Sequence, residues 1–172
     1  MSISLYDLSV ASYLQALGGM KGVLQKGLEH CQANSINPQD IVETRLIADM
    51  LPFRFQVGAV AHHSLGAIEG LKKGVFSPPG DLPPDYAGLQ KMIADAETAL
   101  RALKPADVNA FEGKDMLFQM RDFKIPFTAE GFIMSFSLPN LYFHAATAYD
   151  ILRLKGVQLG KRDFMGPMRL KS

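Results

Sequence analysis

Apolar residues recur every three or four positions along four long stretches of the chain, which is the period of amphipathic α-helices. The first stretch covers 5–33, and its apolar positions are Leu5, Leu8, Leu14, Leu17, Val23, Leu24 and Leu28. The third covers 85–104 and has the cleanest stripe: Tyr86, Leu89, Ile93, Ala96, Leu100 and Leu103. These spacings predict helices over 5–33 and 85–104. The glycines of the first helix (Gly18, Gly19, Gly22 and Gly27) fit either close approach of a neighbouring element or simple flexibility.

The second predicted helix covers 38–73. Asn37 followed by Pro38 is a typical helix start, and Gly74 is a typical helix stop. Pro52 lies inside this stretch and should kink or split the helix, because its ring removes one hydrogen bond and crowds the preceding turn. Beyond it an apolar stripe continues through Phe53, Val57, Val60, Ser64, Ile68 and Leu71.

The fourth predicted helix covers 128–155, with Thr128 as its N-cap, Gly156 as its stop and Pro139 as a bend or interruption. The stretch 75–84 is rich in proline and indicates a loop. Residues 105–127 lack the helical period and fit either a short hairpin or an extended crossover. Four helices and three connections predict one all-α domain over 1–172, a four-helix bundle with a long crossover between its third and fourth helices.

Composition and charge narrow the class of protein. The 172 residues are 48% hydrophobic and 20% charged, as expected for an ordinary folded domain. The formal net charge of +1 gives no electrostatic basis for binding nucleic acid or an anionic membrane. The single cysteine, Cys31, cannot form an internal disulfide. Neither a signal peptide nor an apolar run of membrane-spanning length is visible, so we expect a cytoplasmic protein.

None of the common enzyme signatures occurs: the sequence contains no phosphate-binding glycine loop, no nucleophile elbow and no paired zinc-binding cysteines. The polar residues of interest are therefore histidines. His144 has apolar helical neighbours at Leu141, Ala148 and Ile151, and Asn140 lies one turn earlier on the same side. A buried imidazole needs a partner. The Asn140–His144 pair fits both a helical metal site with one ligand replaced and an internal hydrogen-bonded pair.

His62 and His63 follow each other on the second helix, where adjacent residues point about 100° apart. The helical wheel places His63 at the edge of the apolar stripe and His62 nearly opposite. The bend at Pro52 leaves this assignment open, and two surface or interface histidines fit equally well.

Several segments resemble a known family. The run 144–157 (HAATAYDILRLKGV) resembles the last helix of the DinB/YfiT-like superfamily. The runs 49–53, 139–144 and 160–164 resemble an uncharacterised branch of it that is catalogued as a domain of unknown function, and this likeness extends over nearly the whole chain. The resemblance implies an up-down-down-up four-helix bundle, often dimeric. Many members bind a divalent metal through one histidine of the second helix and a His-x-x-x-His pair of the fourth. Characterised relatives include metal-dependent thiol transferases and a thiol-dependent isomerase.

Carried over to this chain, the metal ligands would be His144 and Asn140 of the fourth helix and either His62 or His63 of the second. The metal would be zinc or nickel, for which a carboxamide is a poor ligand beside imidazole. The resemblance thus implies a polar pocket between helices 2 and 4 that could serve a metal-dependent hydrolase or thiol transferase.

The alternative is a non-catalytic dimeric bundle that binds a small molecule or acts as a stress-related interaction protein, and the sequence does not decide whether the protein is an enzyme. A homodimer is expected from the family and from the apolar residues Met50, Phe53 and Phe55 around Pro52.

Overall fold

The first long helix is interrupted once, near its start. The computed structural model describes residues 3–171, and in it helix α1 (Leu5–Leu8) is followed by α2 (Val10–Ala33). The side chain of Ser4 caps α1 by accepting a hydrogen bond from the backbone N–H of Asp7. The break falls at Ser9, whose hydroxyl donates to the carbonyl of Leu5 at 2.6 Å. A serine that bonds to the preceding turn commonly bends a helix.

The prediction of one helix over 38–73 is wrong for residues 43–52. Helix α3 (Gln39–Val42) ends there, and α4 (Phe53–Ala61) begins only after Pro52. Pro52 is extended, with ψ of 169°, and the residue before a proline is itself disfavoured in helical conformation. The backbone N–H of Phe53 donates to the carbonyl of Thr44 at 2.8 Å and so joins the two ends of the non-helical segment 43–52. Pro52 therefore splits the predicted helix, which was one of the two expected outcomes, and α4 begins directly after it.

The second long helix continues from α4 through a π-helical segment, His62–Gly66, into α5 (Ala67–Lys73). It ends at Gly74, whose φ of 72° is the left-handed conformation that glycine favours. The stop predicted at this glycine is confirmed.

The third long helix is α6 (Tyr86–Arg101), capped by the Asp85 carboxylate, which accepts from the N–H of Gly88. A short α7 (Pro105–Asn109) follows. The fourth long helix comprises α8 (Ala129–Phe132), a π-helical segment Ile133–Ser137 and α9 (Leu138–Leu154).

The caps and bends of the fourth helix follow from local chemistry. Thr128 caps α8, as predicted. The helix does not break at Pro139, which cannot donate a backbone hydrogen bond; instead it widens into the π-helical segment just before that residue. A final short helix, α10, spans Lys161–Met165.

The fold is mostly helical, and a small sheet corrects the all-α prediction. Strands β2 (Asp115–Met120) and β3 (Phe123–Thr128) form an antiparallel hairpin, and β1 (Val75–Phe76) pairs with β2 in parallel. The hairpin was one of the two alternatives left open for 105–127. Strand β1 falls in a stretch predicted to be loop, because two residues are too short to show a period.

The long helices enclose one core. Helix α2 contacts α6, α6 contacts α4, α4 contacts α9, and α9 contacts α2, so the contacts form a closed ring. Phe53, predicted to lie between subunits, is instead fully buried in this core and stacks on Tyr86 with ring centroids 5.9 Å apart. Burying a side chain of this size stabilises the fold by roughly 1.5–3 kcal/mol.

The chain after α9 returns to the first long helix. Helix α10 packs on α2, where Lys26 forms an ion pair with Asp163 at 2.7 Å and the side chain of Gln15 donates to the carbonyl of Met165 at 3.1 Å. Among residues 3–171, no helix combines the length and apolar character needed to cross a membrane.

Candidate functional site

The two π-helical segments lie side by side and are joined by a buried relay of hydrogen bonds. The hydroxyl of Ser137 donates to the backbone carbonyl of His63 at 2.6 Å, so the hydroxyl of Tyr13, 2.7 Å from Ser137 Oγ, is the donor to that atom. Tyr13 and Ser137 are fully buried, and burial raises the pKa of Tyr13 above its usual range. These hydrogen bonds connect α2 to the π-helical segments of the second and fourth long helices. π-helical turns are frequent at functional sites.

His63 and His144 face each other across these helices. Their rings are nearly parallel, at 16°, with centroids 5.9 Å apart. His144 Nδ1 lies 2.7 Å from Gln56 Oε1, an oxygen that can only accept, so Nδ1 carries the proton and Nε2 keeps its lone pair. The amide of Gln56 is held in this orientation because its Nε2 donates to the carbonyl of Leu51 at 2.8 Å.

His63 has an unsatisfied ring nitrogen. Its side chain is only 8% exposed, and its Nδ1 is buried without a hydrogen-bond partner in the part of the chain that the structure describes. Phe76 and Phe136 pack around the ring, with centroid distances of 5.3 and 5.8 Å. A buried polar atom left unpaired is costly and calls for a ligand or another partner.

Both imidazoles are neutral at pH 7. Burial, together with the neighbouring His62 and His144, lowers the pKa of His63 to about 3. Burial alone lowers the pKa of His144 to about 4. Neutral rings have free lone pairs, as metal binding and hydrogen-bond acceptance require.

His62, the other histidine predicted for this site, points elsewhere. Its Nε2 lies 2.8 Å from the backbone carbonyl of Ser77, to which it donates, and its ring lies on Phe76 with centroids 4.3 Å apart. Of the two adjacent histidines, His63 is therefore the one next to His144. This agrees with the helical-wheel assignment.

Asn140 does not pair with His144, contrary to one of the two alternatives from the sequence. Its Nδ2 donates to the carbonyl of Phe136 at 2.7 Å, within its own helix. The partner of His144 is Gln56, which sequence reasoning missed. A signal was present, because Gln56 is a polar residue three positions after Phe53 and four before Val60, inside the apolar stripe of the second helix.

The metal-ligating side chains that meet at this site are two histidines, His63 and His144. Between residues 3 and 171, no group of three or more histidine, cysteine or acidic side chains is arranged to hold an ion. His63 and His144 supply two imidazoles that face each other, whereas the ring of His62 lies on Phe76 and donates to Ser77. The site thus offers two imidazoles and differs from the three-histidine set of the wider superfamily.

Replacing His144 with Leu is expected to lower the free energy of unfolding by about 1–3 kcal/mol, because the buried Oε1 of Gln56 would lose its donor. Urea unfolding at pH 7 measures this. The double variant Gln56→Leu/His144→Leu should recover part of the loss, since both partners are then apolar. An unaffected single variant would show that the Gln56–His144 bond contributes nothing to stability.

The mostly helical fold is that of a DinB-like protein. A solved structure of a DinB family member from Shewanella denitrificans is similar to this chain, with a TM-score of 0.82 and 27% identity over 98% of this chain and 95% of that one. Residues 5–165 match the family described as "Domain of unknown function (DUF1993)", and the chain belongs to this uncharacterised family of the DinB-like superfamily. No curated protein matches the chain.

Proposed function

We propose that His63 and His144 together bind a divalent metal, zinc or nickel, between the second and fourth long helices of a DinB-type four-helix bundle. The observation that carries the proposal is the buried, unpartnered Nδ1 of His63 beside a second imidazole whose Nε2 is free. Imidazole nitrogens suit both metals. The closed ring of contacts among the long helices supports the bundle architecture.

The surroundings of the two histidines support the same proposal. Gln56 accepts from Nδ1 of His144 and so fixes the tautomer, which is the role that outer partners of metal-binding histidines commonly play. The aromatic rings of Phe76 and Phe136 keep water away from His63. A metal bound by only two protein ligands would leave positions open for a small molecule and would supply Lewis-acid chemistry there, as a hydrolase or thiol transferase needs.

Nickel titration of metal-free protein prepared without a histidine tag tests the proposal. We expect one site per chain, with affinity at least tenfold lower in the variants His63→Leu and His144→Leu, because each removes one of two ligands (a loss of about 1.4 kcal/mol or more). His62→Leu is the matched control: it removes an adjacent imidazole that points to Ser77, and it should leave affinity within about twofold. Loss of binding in the His62 variant alone would refute the assignment.

The second candidate is a non-catalytic bundle that binds a small molecule without metal. It is favoured because, within residues 3–171, no third histidine, cysteine or acidic side chain joins the two imidazoles to hold an ion. Absence of nickel binding in the titration would support it. In either case a homodimer remains part of the proposal, supported by the exposed apolar side chains of Leu46, Ile47 and Leu51 in the segment 43–52.

A further inference from the structure

A cleft of about 560 Å³ lies between the second long helix and α6, beneath the proline-rich loop 77–84. Its volume is in the range of small-molecule sites. His63, Gln56 and His144 do not line it, so it is separate from the histidine pair, and its test is independent of metal binding.

The loop over the cleft is held at both ends. At one end, the backbone carbonyl of Ser77 accepts from His62. At the other, Leu82 and Pro83 pack directly on Gly58 and Gly88, where an added Cβ would lie 2.5 Å from Leu82 and 2.7 Å from Pro83. Because each helix has a glycine at this contact, the loop packs closely on both helices at this end, whereas nothing lies within 4 Å of a Cβ added at Gly80 in the middle of the loop.

The floor of the cleft is apolar. It is formed by the side chains of Ala61, Leu65, Met92 and Ala96, of which Ala61 and Ala96 are buried. A ligand that fills the cleft would therefore need an apolar body to cover this surface.

The rim of the cleft consists largely of hydrogen-bond acceptors. Pro78, Pro79 and Pro83 have no backbone N–H, so at these positions the loop can only accept. The charged side chains on the rim are Glu69, Asp81, Asp95 and Lys91. Lys91 is paired with Asp95 at 2.6 Å, whereas Glu69 and Asp81 make no ion pair within residues 3–171. The rim thus carries three carboxylates and one ammonium, and two of these carboxylates make no ion pair within residues 3–171.

We infer that this cleft binds an amphipathic cation, namely a primary amine on an aliphatic body. The apolar part covers the floor at Leu65 and Met92, and the ammonium donates to the acceptors of the rim near Glu69. An ammonium group has three donors and no acceptor, which matches a proline-rich and acidic rim. A carboxylate of the same length would meet Glu69 and Asp81 with like charge and with few donors.

The probe for this inference is n-octylamine, titrated calorimetrically into the full-length, metal-free protein, with octanoate and octanol as matched probes of the same chain length. We expect octylamine to bind at least tenfold more tightly than either of the others, a difference of about 1.4 kcal/mol or more. Equal binding of octanol or octanoate would overturn the inference, because the rim charge would then have no role.

Two further measurements locate the binding. The variant Glu69→Lys, at an exposed position of the cleft, should weaken octylamine binding at least tenfold. The control is Glu29→Lys, which makes the same change at an exposed residue of α2 outside the cleft and should alter the affinity less than about twofold. In amide NMR spectra of the unmodified protein, octylamine should shift the signals of Gly66, Gly80 and Gly88, all of which line the cleft. An unchanged affinity in Glu69→Lys, or shifts confined to other parts of the protein, would refute the site.

Discussion

Mild acid is expected to destabilise the metal-free protein well before its carboxylates titrate. His63 and His144 have folded-state pKa values of about 3 and about 4, whereas an unfolded histidine titrates near 6.5. Below pH 6.5 the unfolded chain therefore binds protons that the folded chain does not. The stability that the neutral rings contribute is complete above pH 6.5 and is lost as the pH falls toward the folded-state values.

The expected slope is large. Each of these histidines lowers the free energy of unfolding by up to about 1.4 kcal/mol per pH unit within this window. Urea unfolding at pH 7, 6 and 5 measures the slope. The double variant His63→Leu/His144→Leu should show a much flatter dependence, whatever its absolute stability. An equal slope in the wild-type protein and the double variant would mean that other groups govern the acid response.

The substitutions Gly19→Ala and Gly22→Ala are expected to change stability in opposite directions, although both add one methyl group to α2. A Cβ at Gly19 would collide with the carbonyl oxygen of Phe164 and crowd the backbone N–H of Gly166. These are backbone atoms of the segment packed on α2 and cannot rotate away, so we expect a loss of about 1–3 kcal/mol.

Gly22 is the matched control for this pair. It is exposed, and nothing lies within 4 Å of the Cβ that alanine would add. Alanine there should raise stability by up to about 1 kcal/mol, because glycine inside a helix is unfavourable. Thermal unfolding should separate the two variants by several degrees. If both variants melt together, the contact between α2 and the segment 163–166 does not contribute to stability.

The long helices, in which apolar residues recur at the helical period over many residues, were predictable from the sequence. Helix α6 follows the apolar stripe from Tyr86 to Leu100, and Gly74 ends the second long helix as expected. The split at Pro52 was predictable, but the extent of the break over 43–52 was not, since it depends on the hydrogen bond from Phe53 to Thr44, nine residues earlier, which no helical period reveals. Strand β1 depends on pairing with β2, about forty residues later, and has no local signal of its own.

The candidate site was predictable in part. The helical wheel placed His144 on an apolar face and His63 at the edge of one, but the choice between His62 and His63 was left open until the structure placed His63 beside His144. The partner of His144 was misassigned, because reasoning within one helix favours a residue one turn away, Asn140, over Gln56 on another helix. The role of the first-helix glycines was left open for a similar reason: Gly19 is contacted by the segment after α9, which no helical period reveals.

The two π-helical segments determine in which direction the side chains that follow them point. Each π-helical turn takes up roughly one residue more than an α-helical turn, so the helix after it is rotated by about 100° relative to an uninterrupted α-helix. In the second long helix, the face before the π-helical segment carries Gln56 and the face after it carries Ile68 and Leu71, and all three side chains are buried with this offset in place. Deleting a single residue within 62–66 would keep the helix continuous but turn one of these faces out of the core. The extra residue in each π-helical segment, as much as the composition of the helix, therefore determines which side chains meet at the histidine pair.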